Sequence, residues 1–115
     1  MTSTMSQQNI LNAIQAIQNA ANLLTSQISD ATDPVSAIKL NHAYQQLNAC
    51  LSQLLQLQNV RDDATFKSSV ANIKAQTNTL QTDEKSIKGL ISDVGTATKV
   101  LGYVADAVGF IAKIA

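Results

Sequence analysis

Tryptophan is absent from this 115-residue chain, and cysteine, proline, histidine and arginine occur once each. Each scarcity excludes something. A lone thiol, Cys50, cannot close an intrachain disulfide, so cysteine usage leaves the redox compartment unread. A single proline, Pro34, leaves long stretches free to be helical. Eight basic and eight acidic residues, with no cationic cluster, offer no footprint for a nucleic-acid backbone, which excludes that class of partner. Four glycines, the closest of them six residues apart, cannot form a phosphate-cradling loop. The first residues, MTSTMSQQN, lack the basic and apolar regions of a cleavable signal peptide. The expected location is therefore the cytoplasm or, by a leaderless route, outside it.

What is present is polar but uncharged. Gln, Asn, Ser and Thr total 41 residues and supply most of the surface, while apolar residues at 45% are enough for a globular core. Roughly two-thirds of the unfolded surface of a chain this size can be buried on folding, so one domain over 1–115 is expected.

Apolar or small residues recur at alternating spacings of four and three, the seam of a packed amphipathic helix. The first series is Ile10, Ile14, Ile17, Ala21, Leu24, Ile28 and Ala31, preceded by a flexible segment 1–8 with Ser6 as a helix cap. Asp33-Pro34 then reads as a cap followed by proline at the first helical position. The second series is Leu40, Tyr44, Leu47, Leu51 and Leu54, widened by Ala43, Cys50 and Leu57. Continued by heptads, that seam would place Gln58 and Arg61 in the core, so a turn is expected near Asn59–Asp63, with Asp62 or Asp63 capping the next helix.

From Phe66 the series runs in unbroken phase through Val70, Ile73, Leu80, Ile87, Ile91, Leu101 and Val108 to Ala115. One continuous helix of ~50 residues would reach ~75 Å. In water it would strand about ten large apolar side chains beyond the shorter helices, at ~2 kcal/mol each. A break costs only a few hydrogen bonds of ~1 kcal/mol net. Lys88-Gly89 and Ser92-Asp93 supply the stop and the start. The expected fold is an all-α antiparallel bundle of four helices, about 6–31, 34–59, 63–88 and 92–115, with the third and fourth able to run on as one.

The segment 94–115, VGTATKVLGYVADAVGFIAKIA, is apolar and rich in Gly and Ala. On a helical wheel it has three apolar sides. Val94, Leu101, Val104, Val108 and Ile111 form a large-residue face suited to a core. Gly95, Thr98, Gly102, Ala105, Gly109 and Ala112 form a smooth groove, the kind of surface that lets helices approach closely. Val100, Tyr103, Ala107, Phe110 and Ile114 form the third side, more than one bundle is expected to cover. Lys99, Asp106 and Lys113 make a thin polar stripe. The groove and third side are the expected membrane or assembly face, and a homo-oligomer is the expected state.

Twenty-two residues would span ~33 Å, enough for a bilayer core of ~30 Å, but Asp106 would then sit near its middle. A lone spanning helix is disfavoured. Several copies could instead turn the polar stripe toward a shared lumen. In composition the chain resembles secreted helical translocators and helical pore-forming toxins, which also pair Gln/Asn/Ser-rich helices with an apolar Gly/Ala-rich segment; no motif carries the likeness. That resemblance implies a non-enzymatic component that self-assembles or engages a bilayer. The competing expectation is an interaction module, of adaptor, chaperone or immunity type, holding one protein partner.

Catalytic and metal chemistry find little support. His42 has no second ligand at i+3 or i+4 and reads as a surface residue. Cys50 lies on the apolar stripe with no base beside it. Asp62-Asp63 and Asp83-Glu84 point their neighbouring carboxylates ~100° apart and read as helix-start charges. No enzyme activity, cofactor or metal is expected.

Overall fold

The computed structural model describes residues 4–31, 33–91 and 94–114, with the backbone alone for residues 4–6, 83–86 and 94. Four helices follow one another: α1 (Thr4–Asp30), α2 (Pro34–Leu57), α3 (Asp63–Leu90) and α4 (Val94–Ala112). Each packs on its neighbours in sequence, and α4 closes the ring on α1. The result is an antiparallel bundle measuring 48 × 21 × 19 Å. A straight rod over α3 and α4 would need ~75 Å, so the chain bends after Leu90. Ile91 has left helical geometry, at φ −93° and ψ 119°, while its N–H still closes the last turn on the Ile87 carbonyl. The helix start expected at Ser92-Asp93 lies outside the described residues.

Local chemistry sets the helix starts. Asp33, extended at φ −97° and ψ 121°, accepts hydrogen bonds from the backbone N–H groups of Val35 and Ser36 ahead of Pro34. Asp62, also extended, accepts one from Thr65 and opens α3. With no Gly or Pro between them, α2 and α3 are separated by this cap and by the change of buried face it permits. The start of α1 departs from expectation. Thr4 already lies in the helix, so Ser6 is inside it rather than its cap, and residues 4–8 are helical. Nothing in this stretch breaks a helix, and Asn9 and Ile10 anchor it to the core. Asp83-Glu84 likewise falls within α3, not at a start.

The core of α2 is Leu40, Ala43, Leu47, Cys50, Leu54 and Leu57, with Tyr44 and Leu51 on its flank. In α3 it is Phe66, Val70, Ile73, Leu80 and Ile87, with Ile91 buried at its C-terminal cap. In α1 the buried face is wider than the large residues indicate, because Ala13, Ala16 and Ala20 are buried alongside Ile10, Ile14, Ile17 and Leu24. Alanine carries little hydropathic signal, yet at a closely packed helix pair it is what allows approach.

The buried face of α4 is Ala97, Val100, Val104, Ala107 and Ile111, with Ile114 buried just beyond its end. That corrects the expected core, since Leu101 and Val108 are only half-buried. Phase continuity constrains an unbroken helix alone. Once Ile91 leaves helical geometry, α4 can turn about its own axis. The rotation it adopts brings Val100 and Ile114, at 0% and 1% exposure, inward beside Val104 and Ile111.

Candidate assembly face

The rotation of α4 decides which of its sides meets solvent. Two of the three apolar sides read from the sequence collapse into one. Val100, Ala107 and Ile114, expected on an open side, belong to the core, and Tyr103 and Phe110 are half-buried at its edge. The groove is different. Gly95, Thr98, Gly102, Ala105, Gly109 and Ala112 are all exposed, opposite the core. A methyl group placed on Gly102 or Gly109 would meet no atom within 4 Å beyond the adjoining backbone. No bundle neighbour presses on those two positions.

Beside the groove runs the polar stripe, Lys99, Asp106 and Lys113, all exposed. Lys113 turns its Nζ toward the Phe110 ring, 5.9 Å from the centroid, a cation–π contact along the helix. On the other side of the groove stand Leu101 and Val108. The sequence places these two in the expected core, and their position as edge residues follows only from the rotation of α4. The outer side of α4 is thus three parallel rows: charged, small and apolar. Elsewhere, among the described residues, the exposed surface is mainly polar, with Ser, Thr, Asn and Ala as well as Gln and Lys, and the large apolar residues that stand exposed are Leu11, Val35, Ile38 and Leu55.

A second feature is an open cleft of about 670 Å³ where the start of α1 meets the turn between α2 and α3, with Ile10, Leu11, Leu57 and Val60 among its apolar lining and Arg61 at hand. Its lining mixes amide and aliphatic groups and brings no titratable pair together.

His42 is exposed on α2, with its Nε2 3.0 Å from the Gln46 amide nitrogen. Cys50 is fully buried, and burial pushes its thiol up to about 11. It is kept as a neutral, apolar-packed group. Among the described residues no cluster of His, Cys, Asp and Glu is arranged to hold a metal ion. Among them, too, no helix is long and apolar enough to cross a membrane. Comparison with protein-family models, curated proteins and solved structures found no match.

Proposed function

We propose that this is a non-enzymatic helical protein that associates with protein through the outer side of α4. The observation that carries this reading is the composition of that side: six small residues in a four-three row, exposed, with an apolar row on one flank and charges on the other. A helix that only needed to face water would gain from long polar residues there. Ala or a charged residue at each glycine would favour the helix by up to ~1 kcal/mol. Smoothness has value where another helix must come close.

Membrane engagement is a second reading, favoured by how apolar α4 is on its buried side. It requires α4 to leave the bundle, and with three charges in the segment it requires several copies around a shared polar interior. Adaptor, chaperone and immunity-type roles remain within the first reading, with the partner a different protein.

Sedimentation over a wide concentration range and vesicle flotation, on the same preparation, separate these. The proposal expects a rising mean mass with concentration and no binding to vesicles of neutral or anionic lipid at neutral pH. Flotation or dye release by the monomer would favour the membrane reading. A compact monomer at every concentration that also ignores vesicles would remove self-association and leave only a foreign partner.

A further inference from the structure

We infer that the partner of α4 is the α4 of a second copy, docked antiparallel about a two-fold axis that passes between Gly102 and Ala105. The inference rests on the proposed association through this side and adds who the partner is and which way it runs.

The three rows fix the direction. In heptad terms Gly95, Gly102 and Gly109 take one seam position and Thr98, Ala105 and Ala112 the other. Lys99, Asp106 and Lys113 then flank the seam on one side, and Leu101 and Val108 on the other. In an antiparallel pair each flank meets the same flank of the partner. With the axis between Gly102 and Ala105, Gly102 meets the partner's Ala105, and Thr98 meets the partner's Gly109. Lys99 then stands beside the partner's Asp106, and by symmetry Asp106 beside the partner's Lys99. On the opposite flank Leu101 meets the partner's Val108, and the reverse. Opposite charges pair twice, apolar groups pair twice, and the seam is small throughout.

A parallel pair does the contrary. Each flank then meets the other flank of its partner, which sets Leu101 against the partner's Asp106 and Val108 against the partner's Lys113. Each such contact desolvates a charge against an aliphatic group with nothing to compensate it. The same side of α4 is therefore self-complementary in one direction only, as an isologous two-fold interface requires. Lys99 and Asp106 are both exposed, and among the described residues neither forms an ion pair within its own chain. Exposed ion pairs contribute little affinity; here they select orientation, while Leu101, Val108 and the close seam supply contact area.

Charge reversal tests this without touching the core. Lys99→Glu and Asp106→Lys, each in the full-length chain, should retain wild-type melting while weakening self-association about tenfold or more, since each puts like charges together at both symmetric contacts. Mixing the two variants should restore association as a heterodimer, because every flank contact between unlike chains is again opposite in sign. The double variant Lys99→Glu/Asp106→Lys should also recover it. Wild-type association that is indifferent to both reversals, or reversals that the mixture and the double variant fail to rescue, would overturn the antiparallel pairing and leave association through α4 standing. A wild-type chain that stays monomeric would remove the pairing together with all self-association, leaving only a foreign partner for α4.

Discussion

The Asp62 carboxylate accepts two hydrogen bonds from Thr65, one from its backbone N–H and one from its hydroxyl, each 2.8 Å long. The chain between α2 and α3 contains neither glycine nor proline, so this contact is what marks where the second half of the bundle begins. The hydrogen bonds from Thr65, backbone first, hold the Asp62 carboxyl below its ordinary range. Asp33 is held low in the same way, first by the Ser36 hydroxyl and then by the Val35 N–H. A carboxylate depressed in the fold stabilises above its unfolded pKa, near 3.9. That contribution disappears as pH falls through the folded value. Thermal melts should therefore decline below about pH 4, and Asp62→Ala should lower the melting temperature at pH 7 with a smaller further loss in acid. A variant that melts with the wild-type pH profile would contradict the cap.

The exposed seam of α4 makes an unusual expectation about glycine. With open space around Gly102, Gly102→Ala should stabilise the protein by ~1 kcal/mol through helix propensity alone. Gly102→Leu should melt normally as a monomer. Denaturant unfolding decides this; unfolding of the leucine variant would place the groove inside the core.

Val100 and Val108 offer a matched pair for the rotation of α4. Val100 is 0% exposed and Val108 is half-buried. Val100→Ala should cost about 2 kcal/mol and Val108→Ala under half of that, read from urea midpoints at equal slope. The reverse order would restore the core face that unbroken phase from α3 implies.

Cys50 should resist thiol reagents in the folded protein. Its thiol is buried among apolar groups and pushed up to about 11, so little thiolate exists at pH 8. Labelling should follow global unfolding and accelerate in denaturant. Rapid stoichiometric labelling of the native chain would show that α2 opens locally.

Much of the bundle is legible in the sequence because its signals are local. Asp33-Pro34 and Asp62 declare helix starts, and the seams of α2 and α3 repeat at their own spacing. The bend near Gly89 follows from the cost of stranding apolar surface. The rotation of α4 is not local. It depends on how α1 and α3 receive the helix, and a wheel with several apolar sides admits more than one inward direction. The alanines of α1 escaped for a related reason: Ala13, Ala16 and Ala20 are core only because α1 is packed on two sides. Of the α4 surface, the small row was readable from its seven-residue repeat, whereas Leu101 and Val108 became its flank only once the core was fixed.

Self-association through the outer side of α4 is tested most directly by Ala105→Glu. Ala105 is exposed at the centre of the small row, so the substitution leaves the bundle core untouched. Sedimentation equilibrium, with melting recorded on the same samples, should show the wild-type mean mass rising with concentration and the variant remaining monomeric at an unchanged melting temperature. Equal self-association in both proteins, or a wild-type chain that is monomeric throughout, would contradict it.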